Sequence, residues 1–283
     1  MNSVVPGGEA CVPGVVYLVG AGPGDPNLLT CRALRLLQTA DVVIHDALIT
    51  VEVLGLASQA MLINVGKRSG NHLARQGGIA EIMISFAHGN HKVVRLKGGD
   101  PGVFGRVGEE MQALRKADVA YEVVPGISSV IAASGLSGIS LTHRMLSSAV
   151  TVITGHEAAR NSKQNHLMCL KDLRHTLVIL MGLAKLPEIT QTLLELGHHP
   201  NTPVAVVQSA STSGQKTVRG VLHNIAAMAE ISEIASPATV IIGKVAALHD
   251  QLAWRREQEG PTPFEPGARV SREPVSLSSK GDS

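Results

Sequence analysis

Residues 93–110 read VVRLKGGDPGVFGRVGEE. A β-branched run carrying Arg95 and Lys97 enters Gly98-Gly99-Asp100-Pro101. Beyond it, Gly108-Glu109-Glu110 opens onto Met111, Leu114 and Ala117 at helical spacing. The period changes from strand to helix across a glycine-rich connection, so the spacing predicts strand, loop, helix. Paired glycines let the backbone approach a ligand, because no Cβ intrudes. Pro101 fixes a turn. Asp100 offers an acceptor at a strand's carboxyl end, where open α/β sheets bind ligands. Gly-Gly-Asp-Pro alone fits an ordinary strand-to-helix connection equally well; the charged residues packed among its glycines set this one apart.

The same punctuation recurs on both sides. Residues 15–19 form an apolar strand running into Gly20-Ala21-Gly22-Pro23-Gly24-Asp25-Pro26, and Thr30 is placed to cap the helix that follows. Further strands are expected at 41–46, 61–65 and 121–124, with a helix over 79–88. Alternating strands and helices imply a mostly parallel sheet covered on both faces. Asp25, Asp46, Lys67, Asp100 and Ser128 all follow strands. Each alone suits a surface loop; together on one edge they mark a cleft.

Residues 126–148 are rich in Gly, Ser and Ala and suggest a small-residue helix and a linker. The alternation restarts at Ala149. Strands are expected at 150–154, 177–180, 204–207, 217–221 and 239–242. A helix is expected over 187–196, and a last one ends near Arg256. The expected organisation is a disordered leader (1–14), an N-terminal α/β domain (15–125), a linker (126–148), a C-terminal α/β domain (149–256) and a disordered polar tail (257–283).

Composition narrows the function. Apolar residues are 44% of the chain and aromatics 2%, so the core is aliphatic. Base stacking on aromatic platforms is excluded, and a formal charge of +2 gives no general attraction to nucleic acid. Cys11, Cys31 and Cys169 lie far apart without a C-x-x-C, so neither a disulfide framework nor a metal site is expected. No signal peptide is expected, and no apolar run approaches the ~18 residues of a membrane helix. A cytoplasmic protein without membrane or nucleic-acid partners is therefore expected.

A dinucleotide fingerprint also fails. Counted from Gly20, the third glycine of G-x-G-x-x-G falls on Asp25, whose carboxylate would repel a pyrophosphate. Pro23 removes an N–H that such a loop would donate.

Six blocks carry a resemblance: VGAGPGDPNLLT (19–30), VVIHDALIT (42–50), VGKRSG (65–70), residues 93–110, VPGISSVIAASGLSGISLTHR (124–144) and VTVITGHE (150–157). In this order and at these intervals, over about residues 15 to 250, the chain resembles the uroporphyrinogen-III C-methyltransferases of the tetrapyrrole methylase superfamily. The resemblance implies two α/β domains with an active site in the cleft between them. It implies S-adenosyl-L-methionine as methyl donor, no metal, and a homodimer. The implied reaction methylates C2 and C7 of uroporphyrinogen III to precorrin-2, releasing S-adenosylhomocysteine. Alternatives are a superfamily member acting on a later corrin precursor or a non-tetrapyrrole target, and a catalytically weak binder of cofactor or tetrapyrrole.

By that resemblance, Asp46 is a proton acceptor, and Lys67 is either a proton donor or a binder of a substrate carboxylate. The cofactor residues it implies are Pro23, Gly98, Gly99, Asp100, Val103, Ser128, Ser129, Met181 and Ala210, with Asp100 toward the methionine amino group. Core packing at a strand end is the lesser alternative for Met181. Arg106 and Arg144 are implied for substrate carboxylates, which the guanidinium fork grips bidentately. Glu109 is implied for a pyrrole N–H or for orienting Arg106. The chain departs from the family pattern, which has Phe where Gly102 stands, Gly where Val107 stands and Thr where Ser128 stands. Pro is commoner there than Ser134 and Ser140, and an aromatic commoner than Leu136.

Overall fold

The computed structural model describes residues 10–66, 76–155, 170 and 175–254. The first half builds a sheet from β1 (Val15–Gly20), β2 (Val42–His45), β3 (Met61–Asn64), β4 (Val93–Lys97) and β5 (Ala120–Val124). Their order is β3-β2-β4-β1-β5, and every pairing is parallel. The helices α1 (Cys31–Thr39), α2 (Val51–Leu54), α3 (Gln76–His88) and α4 (Val107–Lys116) connect them. Parallel strands need such crossovers, which cover both faces. Accordingly β1 and β4 are buried at every position.

The strand period divides two cores. Tyr17 and Val19 pack with Leu36, Leu37 and Leu96 on one face. Val16 and Leu18 pack with Ile44, Met83 and Leu114 on the other. Thr30 caps α1 as expected, its Oγ1 accepting from Ala33 N at 3.1 Å. Deleting such a cap costs about 1 kcal/mol.

The chain then forms α5 (Ser129–Leu136), the expected small-residue helix. The second sheet contains β6 (Val150–Thr154), β7 (Thr176–Leu180), β8 (Pro203–Gln208), β9 (Lys216–Val221) and β10 (Ala238–Ile242). Its order is β6-β7-β10-β8-β9. The helices here are α6 (Leu186–Glu195), α7 (Ile225–Ile231) and α8 (His249–Leu252). Two α/β domains are thus present. The parallel arrangement holds throughout the first sheet, but the second is mixed. Only β6–β7 is parallel there, and β7–β10, β10–β8 and β8–β9 are antiparallel. The short connection 209–215 from β8 to β9 explains one of these pairings. It is a hairpin, too short for a parallel crossover. The last described helix, α8, ends at Leu252, and Arg256 lies outside the described residues.

Two features bring the domains together. Helix α5 leaves the first sheet yet packs on the second, with Ala133 against Val207 and Ala210, and Val130 against Val178 and Leu180. Asp25 N donates to Ser211 Oγ at 3.1 Å, joining loops beyond β1 and β8. Because β10 is antiparallel to both, β7 and β8 run the same way, and their carboxyl ends share one edge. That edge meets the carboxyl edge of the first sheet. Among the described residues no helix is long and apolar enough to cross a membrane.

Candidate active site

Three loops converge on the first sheet's carboxyl edge. Gly22 and Gly99 exchange backbone hydrogen bonds of 3.2 and 2.8 Å, stitching the loops after β1 and β4. Gly126, after β5, closes the group. A Cβ there would lie 2.3 Å from Gly99 O and 2.8 Å from Gly20 Cα, so no side chain fits. Gly98 is exposed, and nothing lies within 4 Å of where its Cβ would be.

Asp100 locks this arrangement. Its Oδ1 accepts from Gly102 N at 2.8 Å and its Oδ2 from Gly126 N at 3.0 Å. One carboxylate thus ties the loops after β4 and β5, while each oxygen keeps a second lone pair for a ligand donor. Gly102 gives Asp100 room, since a Cβ there would sit 3.1 Å from Oδ1. Ser128 caps α5, its Oγ accepting from Val130 N at 3.3 Å, and Ser129 begins that helix. Pro23 is partly buried in the loop after β1.

Asp46 follows β2 on the same edge. Its Oδ1 lies 2.5 Å from Arg95 Nη2. Arg95 Nε donates to Glu110 Oε1 at 3.0 Å. Lys97 Nζ donates to the same Oε1 at 3.0 Å and lies 2.9 Å from Oε2, where the alignment is too poor for a hydrogen bond. The side chains of Arg95, Lys97 and Glu110 are nearly inaccessible, at 3, 5 and 8% exposure, while that of Asp46 is 35% exposed. Two cations and two anions therefore form a buried row whose only open end is Asp46. Burial pushes the Lys97 ammonium below the usual lysine range, and neighbouring Arg95 adds to that; Glu110 opposes it.

The second domain supplies Met181 just beyond β7, 46% exposed, and Ala210 beyond β8, buried. Met181, Ser209 and Ser211 all have positive φ (55°, 42° and 76°). Left-handed backbone at non-glycine residues costs about 1–2 kcal/mol each, and such strain clusters at functional loops.

The remaining expected residues are more peripheral. Val103 is 36% exposed on the loop before α4. Arg106 precedes α4 with φ 57° and grips Glu109 bidentately at 2.9 and 2.8 Å, both side chains exposed. Glu109 thus orients Arg106, occupying its Nε and Nη2. Arg144 is exposed on the turn between His143 and Ser147, and among the described residues no ion pair to it is present. Lys67 lies outside the described residues, so its expected role rests on sequence. Among the described residues no cluster of His, Cys, Asp and Glu is fit to hold a metal.

The Arg95–Glu110–Lys97 row was not assigned from sequence. The signal was present, because cations two positions apart share one face of a strand, and this strand is buried on both faces. Such charges require a partner. A separate cavity lined by His175, His198, Thr202 and Lys244 lies at the opposite end of the second sheet, away from these loops.

Comparison with known proteins follows the same outline. The family model for tetrapyrrole (corrin/porphyrin) methylases matches residues 15–226. A siroheme synthase of Psychrobacter sp. (strain PRwf-1) is 46% identical over 257 residues, covering 90% of this chain and 53% of that protein. The chain thus spans about half the length of that relative. An S-adenosyl-L-methionine-dependent uroporphyrinogen III methyltransferase of Methanosarcina barkeri is 43% identical over 245 residues, covering 86% of this chain and 96% of that protein. Among solved structures, uroporphyrin-III C-methyltransferase from Thermus thermophilus complexed with S-adenosyl homocysteine is similar. It is 40% identical with a TM-score of 0.71, over 82% of this chain and 99% of that one.

Proposed function

The chain belongs to the tetrapyrrole (corrin/porphyrin) methylases, and on that basis we propose that it is an S-adenosyl-L-methionine-dependent C-methyltransferase of uroporphyrinogen III. The product is precorrin-2, methylated at C2 and C7. The observation that carries this reading is the carboxyl edge of the first sheet, where Asp46 and Gly98-Gly99-Asp100 follow the adjacent parallel strands β2 and β4. The enzyme acts as a cytoplasmic homodimer.

The residues suit the donor. Open space above Gly98 admits it against the backbone, Val103 and Met181 offer exposed apolar contact, and Asp100 offers a carboxylate to an amino group. When bound, S-adenosylmethionine supplies an electrophilic sulfonium methyl. Pro23, Gly99, Ser128, Ser129 and Ala210 complete its holding set. The protein's task is mostly orientation, because a porphyrinogen pyrrole carbon is already nucleophilic. Asp46 accepts the proton released when the methylated ring loses its charge. Lys67 returns a proton or grips a carboxylate. Arg106 and Arg144 take substrate carboxylates, with Glu109 releasing Arg106 or meeting a pyrrole N–H.

An anaerobic incubation with S-adenosylmethionine and uroporphyrinogen III tests this. The precorrin-2 or sirohydrochlorin spectrum should appear together with S-adenosylhomocysteine; absence of both sinks the proposal. Asp46→Asn and Lys67→Met should slow methylation and spare donor binding. Loss of donor binding in either would show its role to be misassigned.

A further inference from the structure

We propose that Arg95 is a positioning residue for the methyl transfer, clamping Asp46 by one carboxylate oxygen and leaving the other for the proton. This rests on the reading of Asp46 as proton acceptor. Arg95 is itself sealed from the cleft, its side chain 3% exposed against 35% for Asp46. It therefore acts through Asp46.

The guanidinium is held from three elements. Nε donates to Glu110 Oε1 of α4 at 3.0 Å. Nη1 donates to Leu96 O of β4 at 3.1 Å and to Ile44 O of β2 at 3.4 Å. Nη2 alone points outward, to Asp46 Oδ1 at 2.5 Å. A planar group with these contacts has no freedom to turn, so the direction of its last N–H is set by the sheet and α4 together. Asp46 sits one residue beyond β2, where a carboxylate would otherwise sample several rotamers. Among the described residues no hydrogen bond reaches its Oδ2.

Glu110 and Lys97 hold Arg95 in turn. Glu110 balances the buried guanidinium and fixes Nε, and Lys97 braces Glu110. The chain lies close around Lys97, since a Cβ at Gly105 would come 3.2 Å from its Cε. A lysine at 95 could not perform the same task, because one ammonium cannot meet both Glu110 and Asp46 with fixed directions.

The test compares Arg95→Lys with the parent, Asp46→Asn and the Arg95→Lys/Asp46→Asn double variant. Turnover, donor affinity by direct titration and uroporphyrinogen KM are measured for each. Arg95→Lys should lower kcat by about 10- to 100-fold, the scale of an ångström-sized misplacement, with donor affinity and KM nearly unchanged. In the Asp46→Asn background the same substitution should add almost nothing. Arg95→Met/Glu110→Gln removes one buried cation and one anion together, keeping the charge balanced should Arg95→Lys fold poorly. It should show the same kcat loss with donor binding intact. Parental kcat in Arg95→Lys, or an equal loss with and without Asp46, overturns the positioning role alone. Parental kcat in Asp46→Asn overturns the acceptor assignment as well.

Discussion

The backbone N–H of Asp25 donates to Ser211 Oγ at 3.1 Å, tying the loop after β1 to the loop after β8. Ser211 is fully buried and held at φ 76°. Removing its hydroxyl should cost about 1 kcal/mol through the orphaned donor. Glycine would lose the same bond but relieve the left-handed strain, less its own extra chain entropy. Urea unfolding should therefore rank Ser211→Ala below both the parent and Ser211→Gly. An alanine variant as stable as the parent would remove this bond from the contacts that hold the two domains together.

Gly126→Ala should damage the donor site from behind. Its Cβ would press on Gly99 O at 2.3 Å and on Gly20 Cα at 2.8 Å, all backbone that cannot rotate away. Overpacking of this kind costs about 1–3 kcal/mol. Isothermal titration should show S-adenosylhomocysteine binding weakened by about 10-fold or more, since each 1.4 kcal/mol is a factor of ten. Gly98→Ala meets nothing in the protein, so any loss of affinity there reports a clash with the ligand itself.

Arg106 and Glu109 form an exposed pair, and such pairs contribute about 0–1 kcal/mol to stability. Arg106→Ala should leave thermal stability close to that of the parent yet raise uroporphyrinogen KM by about 10-fold, the value of one charge-assisted contact. Glu109→Gln frees the fork and should not raise KM through the carboxylate contacts. A KM unchanged in Arg106→Ala would exclude its carboxylate role.

Alkaline stability should carry two opposed contributions. Burial raises the Cys11 thiol to about 11 from 9.0. Between those values the unfolded chain has lost more protons than the native one, so stability is lost as pH rises from 9.0 to about 11. Lys97 is shifted the other way, below 10.5 by burial. Between its lowered value and 10.5 the unfolded chain holds more protons, so stability rises with pH there. Cys11→Ala should flatten the loss and Lys97→Met should flatten the gain, as read from urea midpoints at matched pH. At pH 8, iodoacetamide should label exposed Cys31 well before buried Cys11, checked by mass spectrometry.

Local period and turn chemistry settled a great deal of this protein. The β-branched runs at Val15–Gly20 and Val93–Lys97, each followed by glycines and a helix, the first of them capped by Thr30, specify strand, loop and helix from neighbours a few residues apart. The order of the parallel connections then puts Asp25, Asp46, Asp100 and Ser128 on one edge, and the sequence was enough to see them there. Tertiary structure decided the rest. The mixed pairing of the second sheet depends on which distant strands meet, and apolar strands of similar length do not encode a partner. The bonds of Arg95 to Glu110 and Asp46, and of Asp25 to Ser211, span 15, 49 and 186 residues. Charge and glycine content marked residues 93–110 as a candidate ligand loop. Which carboxylate neutralises which buried cation follows only once the folded backbone has excluded water and brought them within reach.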